Sequence, residues 1–315
     1  MEFTAAKSAL LKELNLTQGV VEKKTTIPIL SNLLLEVSDS TLRISATDLE
    51  LGVRCGCSAK VKKEGSGTVP AKRLLEIVRS LPEAEVKFKV LENHWVQLNC
   101  ERSSFKLVGM ARDNFPSLPE VPKAIVTIPC GVFTTMIQKT IFAISSEESR
   151  YTLNGALLLL KPESVTMVAT DGHRLALIER QMQVAGLKNE LRFLIPKKAM
   201  GELLRLLAEC EDDAAVEFSK DETHLFFSAG DRVLISRMLT GQFPFGEARE
   251  VLDAPYQNEA LEIGFNYQYL LDFFNAVTNG GKVRLEFKDE QSAGQFRPSD
   301  EGQYQYRYVV MPMRL

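Results

Sequence analysis

Histidine and tryptophan are scarce in this sequence, and its cysteines form an odd, scattered set. The chain contains three histidines, one tryptophan and five cysteines. Scattered cysteines in odd number argue against a disulfide framework and favour reduced thiols in the cytosol. No apolar run approaches the roughly 18 residues that a membrane span needs. The N-terminus lacks the basic and apolar regions of a signal peptide, so we expect a cytoplasmic protein without a membrane partner.

The motifs of common enzymes and metal sites are missing as well. Residues 65–67 are glycine-rich, but no lysine and helix follow at P-loop spacing, so we interpret them as a surface turn. Cys55 and Cys57 have no second pair or suitably spaced histidine to complete a zinc site. Asp171 and His173 are close in sequence, but no nucleophile accompanies them. The sequence therefore predicts no catalytic residue, no metal and no cofactor.

The length and overall charge set the remaining limits. A chain of 315 residues, with 45% hydrophobic and 25% charged residues, is typical of a globular protein with two or three domains. Its net charge of −3 gives no indication of a nucleic-acid partner. Any binding to nucleic acid would therefore depend on local concentrations of positive charge.

Two related segments alternate along the chain, each of about 60 residues. The first contains two apolar strands within residues 27–53 and recurs at 151–178, with Thr47 and Asp48 matched by Thr170 and Asp171. The second opens at residues 69–75 and recurs at 195–200 and, more loosely, at 263–271. The order is first, second, first, second, second, so one copy of the first segment is missing.

Each segment combines one amphipathic helix with a run of short strands. Apolar residues at helical spacing predict helices over roughly residues 4–15, 71–80, 131–143, 197–208 and 266–277. Strict alternation predicts strands at 86–90 and 283–287. A helix followed by antiparallel strands, repeated, predicts an α+β fold with the helices on one side of the sheets. Proline-containing linkers predict boundaries near residues 124 and 244.

Several short sequence motifs in these segments resemble those of the bacterial DNA sliding clamp family, the beta subunit of the replicative DNA polymerase III holoenzyme. They lie at residues 170–175, 241–244, 262–266 and 309–315, and the similarity extends from Phe3 to Leu315. The resemblance implies the DNA clamp fold, with domains at 1–124, 125–244 and 245–315. It also implies a homodimeric ring in which helices line the hole and sheets form the outer wall. Such a ring encircles double-stranded DNA without sequence specificity and catalyses nothing.

The third domain departs from the family pattern. After residues 243–244 the chain passes almost directly to 246–250, which resemble the closing strand of that domain's first half. The strand, helix and two strands expected in between are absent. We expect the natural molecule to contain this sixth half-domain, because otherwise an apolar helix at 266–277 packs on an incomplete sheet. A genuine deletion is the alternative.

The resemblance further implies a peptide-binding groove between the second and third domains. Its partners would be the catalytic subunit of the replicative polymerase, the clamp loader and other proteins with a clamp-binding motif of glutamine, leucines and an aromatic residue. Methionines in such a groove repack for different partners. The alternative is that residues 309–313 are only a buried last strand. The residues implied for the groove are Leu153, Thr170, Gly172, His173, Arg174, Leu175, Pro244, Val309, Val310, Met311, Pro312, Met313, Arg314 and Leu315.

Positive charge is concentrated on the predicted helices, although the whole chain is acidic. Lysine and arginine contacts to phosphates give weak, salt-sensitive attraction without sequence specificity. A closed ring would keep the protein on DNA while such contacts let it slide. Ordinary solvated helix faces are an equally good interpretation without the resemblance. The residues expected to contact DNA are Lys24, Lys72, Arg73, Arg79, Lys139, Arg150, Lys197, Lys198 and Arg205.

Two other classes of function compete with the clamp. A peptide-binding scaffold unconnected to DNA would need the groove but not the positive helices. An enzyme would need a convergent polar pocket, which the sequence does not supply. An assay of retention on circular DNA and loss from linear DNA would distinguish a clamp from both alternatives. A clamp is also expected to associate with the nucleoid during replication.

Overall fold

The computed structural model describes residues 1–21, 26–147, 151–184, 187, 189–239, 263–277, 282–300 and 302–313. The chain divides into two compact units. Unit 1 consists of Met1–Lys123, Arg205–Cys210 and Val216–Arg237, and unit 2 consists of Ala124–Leu204, Glu211–Ala215 and Met238–Leu315. Within the described residues, no helix has the length and apolar character that crossing a membrane requires.

Unit 1 combines helices with two antiparallel sheets. Its helices are α1 (Lys7–Thr17) and α2 (Ala71–Ser80), with 3-10 turns at Pro28–Ser31, Glu92–His94 and Arg112–Asn114. The first sheet has the order β5 (Lys60–Lys63), β1 (Glu2–Ala6), β7 (Glu85–Val90), β8 (Trp95–Cys100) and β9 (Ser103–Val108). The second sheet contains, in order, β15 (Ala215–Lys220), β16 (His224–Ala229), β17 (Arg232–Arg237), β4 (Leu51–Ser58), β3 (Thr41–Thr47), β2 (Asn32–Ser38) and β6 (Gly65–Pro70).

The two helices of unit 1 pack against each other through their apolar faces. Leu14 of α1 and Leu74 and Val78 of α2 are completely buried. At the exposed edge of this pair, Arg79 Nη2 donates a hydrogen bond to Asn15 Oδ1 at 2.8 Å. The apolar stripe that the sequence predicts for α2 is therefore confirmed.

A buried ion pair fixes α1 to β17. The Glu13 carboxylate, in a residue only 4% exposed, accepts hydrogen bonds from Arg232 Nε at 3.1 Å and Nη2 at 2.6 Å. The bond to Glu13 raises the pKa of Arg232, and burial only partly offsets it. A buried pair of this kind stabilises a fold only while both partners are present. It connects residues 219 positions apart in the sequence.

None of the five cysteines forms a disulfide in the part of the chain that the structure describes, and Cys55, Cys100 and Cys130 are buried. Burial raises the pKa of Cys57 to about 11. At pH 8 the thiolate fraction of Cys57 is therefore far smaller than that of a free thiol, whose pKa is about 8.5. We expect iodoacetamide at pH 8 to alkylate Cys57 at least about tenfold more slowly than a free thiol, as followed by peptide mass spectrometry. Alkylation of Cys57 at the free-thiol rate in native protein, as in a urea-unfolded control, would contradict this assignment.

Unit 2 is built around one long antiparallel sheet. Its helices are α3 (Cys130–Gln138), α5 (Tyr267–Ala276) and α4 (Lys197–Leu207), whose last residues belong to unit 1, and 3-10 turns lie at Ile141–Ala143 and Tyr151–Leu153. A short strand, β10, spans Val126–Pro129. The sheet has the order β14 (Leu191–Pro196), β11 (Gly155–Lys161), β12 (Ser164–Thr170), β13 (Arg174–Gln181), β20 (Tyr304–Val310), β19 (Gly294–Pro298) and β18 (Val283–Glu286).

An aromatic cluster holds α5 on this sheet. The Phe273 ring is fully buried and stacks on Tyr306 and Tyr308, with ring centroids 5.9 and 5.3 Å apart. Phe296 meets the same ring edge-on at 5.7 Å. Such contacts add to the stabilisation from the buried apolar area, so Phe273 is the main anchor of α5.

The opposite side of α5 is exposed. Tyr267, Leu271 and Phe274 are 73%, 47% and 48% exposed, and Leu285 of β18 is 48% exposed. The sequence predicts an apolar helix at 266–277 on an incomplete sheet, and on this helix Leu271 and Phe274 are exposed while Phe273 is buried. The physical reason is that α1 and α2 cover each other in unit 1, whereas no described helix covers this side of α5. Phe273 alone of these residues reaches the core.

Two predicted helix boundaries also need correction. The first helix begins at Lys7, because Phe3 and Ala5 pair with Phe88 and Val86 in a strand before it. The third helix ends at Gln138, because the Thr140 N–H bonds to Ile137 O, in a tighter turn. Each of the five predicted helices is otherwise confirmed in place within the described residues.

Candidate functional site

The turn between β12 and β13 is held by its own side chains. Thr170 Oγ1 donates to the Arg174 carbonyl at 2.6 Å. Asp171 Oδ1 accepts from the backbone N–H groups of His173 and Arg174, both at 3.0 Å. Gly172 has a φ of +90°, a conformation that glycine adopts without steric strain. These bonds fix the direction in which β13 leaves the turn.

The same turn occurs in unit 1, as the repeat in the sequence predicts. Thr47 Oγ1 donates to the Leu51 carbonyl at 2.7 Å, and Asp48 Oδ1 accepts from Glu50 and Leu51 N–H at 2.9 and 2.6 Å. Leu49, with φ of +78°, takes the place of Gly172. The threonine and aspartate therefore repeat because they build the turn.

Arg174 is the centre of a half-buried polar cluster in unit 2. Its Nε donates to Asp171 Oδ2 at 3.1 Å, and its Nη2 donates to the Phe142 carbonyl at 2.7 Å. Its Nη1 bonds to the Asp272 carboxylate and donates to Tyr308 Oη at 3.3 Å. The guanidinium also lies 4.3 Å from the Tyr269 ring centroid. The side chain is only 10% exposed, so Arg174 joins the turn to α5.

The electrostatics of this cluster follow from burial and from these bonds. Burial alone would lower the pKa of Arg174, but hydrogen bonds to Asp272 and Tyr308 outweigh it and the pKa is raised. For the neutral acid Tyr308 burial acts in the other direction and raises the pKa to about 12, although the hydrogen bond from Arg174 opposes this. Arg174 is therefore charged and Tyr308 neutral at physiological pH.

Beside this cluster, the end of β20 forms an apolar surface together with β13. Leu175 and Val309 are cross-strand partners and both are half-buried. Beyond β20 the chain continues alongside the turn, since Met311 N–H donates to the His173 carbonyl at 2.9 Å. Met313 N–H donates to the Gly264 carbonyl at 2.8 Å. Met311 and Met313 are 50% and 56% exposed. We call His173, Leu175, Val309, Met311 and Met313 the candidate groove.

The other implied groove residues lie in different places. Leu153, Thr170 and Val310 are buried, and Arg174 is engaged in its cluster, so these four do not belong to the exposed surface. Gly172 is exposed and Pro312 is half-buried. Pro244, Arg314 and Leu315 lie outside the described residues.

The candidate DNA contacts fall into two groups. Lys72, Arg73 and Arg79 are exposed on α2, and Lys198 and Arg205 are exposed on α4. Arg73 Nη1 lies 3.0 Å from Glu76 Oε2 across one helical turn, an exposed pair of small energetic value. These five cations are accessible to solvent anions. Lys24 and Arg150 lie outside the described residues.

Lys139 and Lys197 are half-buried and donate to backbone carbonyls. Lys139 Nζ donates to the Ala276 carbonyl at 2.8 Å and lies 5.1 Å from the Tyr306 ring centroid. Lys197 Nζ donates to the Ile144 carbonyl at 3.0 Å. Burial lowers the pKa of both lysines. Lys139 follows the last residue of α3 and Lys197 is the first residue of α4, so each lysine stands at a helix end.

The partners of Arg174 are the functional residues that sequence reasoning missed. Asp272 is 98 positions away and Tyr308 is 134 positions away. Neither belongs to a recognisable local motif. The available signal was Asp272, which follows two leucines and precedes two phenylalanines on α5. A carboxylate at a buried position needs a cationic partner, so this aspartate predicts a nearby lysine or arginine.

Sequence and structure comparisons agree on what this chain is similar to. The Beta sliding clamp of Chlamydia muridarum is 33% identical over an alignment covering 100% of this chain and 99% of the relative. The Beta sliding clamp of Escherichia coli K12 is 30% identical, with 100% of both chains covered. Both alignments span 373 positions, whereas this chain has 315 residues, so at least 58 positions have no counterpart here. A Pseudomonas aeruginosa sliding clamp solved with bound griselimycin has a TM-score of 0.90, 30% identity and full coverage of both chains.

Three family models of the DNA polymerase III beta subunit match along the chain. The N-terminal domain model matches residues 1–119, the central domain model 127–245 and the C-terminal domain model 203–314. The last two matches overlap at residues 203–245, so only residues 246–314 are matched by the C-terminal domain model alone. The chain belongs to the family of DNA polymerase III beta subunits, the bacterial sliding clamps, which are non-enzymatic processivity factors.

Proposed function

We infer that unit 2 carries the peptide-binding groove through which this clamp tethers its partners. Sliding clamps of this family bind DNA, the polymerase and the clamp loader. The observation that carries the assignment is the antiparallel pairing of Leu175 with Val309, which places the exposed Met311 beside His173. Methionine is well suited to a surface that accepts several peptides, because its side chain is unbranched and polarisable.

The contacts of the candidate groove explain how it would hold a peptide. Leu175 and Val309 form a partly covered apolar floor, and beside it Met311 and Met313 are 50% and 56% exposed. His173 supplies a polar, exposed edge that orients a peptide glutamine. The griselimycin complex of the Pseudomonas aeruginosa relative supports a ligand-binding site on clamps of this kind.

We propose that α2 and α4 each carry contacts to duplex DNA. The five exposed cations on these helices, Lys72, Arg73, Arg79, Lys198 and Arg205, are the contacts that the structure supports. Lys139 and Lys197 are left out of this set because carbonyl groups already hold their ammonium groups. A few weak phosphate contacts suit a protein that must slide, since retention then depends on encirclement rather than on affinity.

The proposed domains are residues 1–124, 125–244 and 245–315, the third lacking its first half. The boundary at 124 is supported by the family matches, because the N-terminal match ends at residue 119 and the central match begins at residue 127. We place the protein in the cytoplasm, associated with the nucleoid during replication, where its partners act.

The decisive test is retention on DNA after loading by the clamp loader. A closed ring stays on circular plasmid DNA and slides off the same plasmid after linearisation. Equal retention on both forms, or no retention on either, would exclude encirclement by this chain.

A matched pair of charge reversals tests which surface faces the duplex. We expect Lys198→Glu with Arg205→Glu to weaken loading or retention on circular DNA and to lower the salt slope by roughly one unit for each lost phosphate contact. The control is Lys63→Glu on β5 with Lys87→Glu on β7, which changes the same charge on a sheet. Equal effects of the two pairs in a gel-filtration retention assay would show that these helices do not face DNA.

A further inference from the structure

The solvent face of the first sheet of unit 1 carries a basic surface with an exposed tryptophan. Trp95 is the single tryptophan of the chain and is 40% exposed at the start of β8. Lys89, Trp95, Gln97 and Lys106 lie on this face, and we call them the Trp95 surface. None of them belongs to the candidate groove or to the proposed duplex contacts.

Strand register places these side chains together. Gln97 is the cross-strand partner of Lys89 on one side and of Lys106 on the other. The two lysines are therefore two strand spacings apart, about 10 Å at the backbone, with Gln97 between them. Trp95 precedes Gln97 by two residues and points to the same face, about 7 Å further along the strand.

The indole is held by a well-defined turn. Asn93 and His94 have φ of +54° and +63°, which closes the hairpin between β7 and β8. Leu91 N–H donates to the Trp95 carbonyl at 2.7 Å, and Gly109 N–H donates to the His94 carbonyl at 2.9 Å. The backbone beneath Trp95 is therefore fixed, and the ring is presented to solvent rather than folded into the core.

A shallow cavity of about 720 Å³ opens beside the ring, lined by Lys89, Val90, Leu91, Glu92, Trp95 and Lys106. Covering the apolar wall and the indole with a flat apolar group would be favourable, because it removes apolar surface from water. Its two ammonium groups call for an anion at the edges of that group. Glu92 is the one carboxylate of the lining and opposes this preference.

The charges on this face are unbalanced. Within the described part of the chain, Lys89 and Lys106 have no ion pair within 4 Å. Neighbouring β5 differs, because Lys60 pairs with Glu85 and Lys62 Nζ lies 2.9 Å from Glu2 Oε1. Glu2 is the strand partner of Lys89, but its carboxylate is bonded to Lys62. In a chain of net charge −3, two unpaired lysines around an exposed indole form a local positive site.

We propose that the Trp95 surface binds single-stranded nucleic acid. One base stacks on the Trp95 indole, and successive phosphates meet Lys89 and Lys106. The Gln97 Oε1 accepts from a base edge or sugar hydroxyl, because Gln97 Nε2 already donates to Asn99 Oδ1 and Ser104 Oγ. Stacking on an aromatic ring with lysines along the backbone path is the general mode of single-strand binding. A duplex does not offer an unstacked base face, and an acidic peptide satisfies the lysines but leaves the indole uncovered. Single-stranded nucleic acid provides both.

The single tryptophan gives a direct test on the full-length chain. Titration with an oligothymidylate of about 12 nucleotides should quench tryptophan fluorescence saturably, because no other residue contributes to that signal. Two phosphate contacts predict a slope of about −1.4 in the logarithm of affinity against the logarithm of salt concentration. By anisotropy of a labelled oligonucleotide, Trp95→Ala should weaken binding at least about fivefold.

Charge variants separate this site from the proposed duplex contacts. Lys89→Glu with Lys106→Glu should remove the quenching, whereas Lys198→Glu with Arg205→Glu should leave it unchanged. Glu92→Gln removes the opposing carboxylate and should strengthen binding. Absence of saturable quenching in the unmodified chain would overturn the proposal. So would equal quenching by duplex DNA or by polyglutamate, and neither result would bear on retention of the clamp on circular DNA.

Discussion

Deletion of Met313, Arg314 and Leu315 is expected to abolish binding of a clamp-binding peptide. The deletion removes the exposed Met313 side chain and the bond from its N–H to the Gly264 carbonyl, which fixes the chain beyond β20. An anchoring side chain at a peptide site typically contributes 2 kcal/mol or more, so the Kd should rise at least about thirtyfold. Fluorescence polarisation with a labelled peptide of glutamine, leucines and an aromatic residue measures this change.

The matched control for this deletion is Met313→Leu. Leucine has nearly the same volume and keeps the backbone bond, so affinity should stay close to that of the unmodified chain. Circular dichroism should show that both variants are folded. If the deleted chain binds the peptide with unchanged affinity, the candidate groove does not include the C-terminal residues.

Replacement of Arg174 by alanine should destabilise unit 2 more than any surface change. The substitution leaves the carboxylates of Asp171 and Asp272 without the guanidinium that both contact, and it leaves the Phe142 carbonyl without its donor. Breaking a largely buried pair by removing one partner costs about 3–5 kcal/mol. For a unit of this size that loss corresponds to a Tm lowered by about 6–20 °C, measured by far-UV circular dichroism.

Arg180→Ala is the appropriate control, because Arg180 lies on the same strand and stacks 4.9 Å from the Tyr304 ring centroid. A cation–π contact between half-buried groups near the surface contributes about 1 kcal/mol, so the Tm of Arg180→Ala should fall by a few degrees at most. Arg174→Lys keeps the charge but cannot reach all its partners at once, and should lie between the two. Equal Tm values for Arg174→Ala and Arg180→Ala would mean that the cluster does not hold α5.

The sequence predicted the elements whose pattern is local. Val86 and Phe88 alternate with lysines, and β7 follows that alternation with its apolar side chains buried. The repeated threonine and aspartate predicted equivalent turns, and both turns share their hydrogen bonds. These succeed because period and turn chemistry depend on residues within a few positions of one another.

Features that depend on distant partners could not be predicted in this way. Lys139 and Arg174 look like free surface cations in sequence, but each is held by groups more than 30 positions away. The pattern of α5 gave no indication that Leu271 and Phe274 are exposed while Phe273 is buried. Side-chain direction on a helix follows the spacing, but whether a face is covered is decided by the elements packed against it.

The interleaving of the two units along the chain has a consequence for synthesis on the ribosome. Strand β4 pairs with β17, for example Val53 with Leu234, so its partner is made about 180 residues later. At 5–20 residues per second this interval is about 9–36 s. The first strands of unit 2, β11 to β14, leave the ribosome during that interval and wait in turn for β20. Two unfinished sheets with open edges are thus present at once in every nascent chain, and unpaired edges are where chains aggregate. The clamp's yield in the cell therefore depends on how those edges are kept apart until residue 310 has been made.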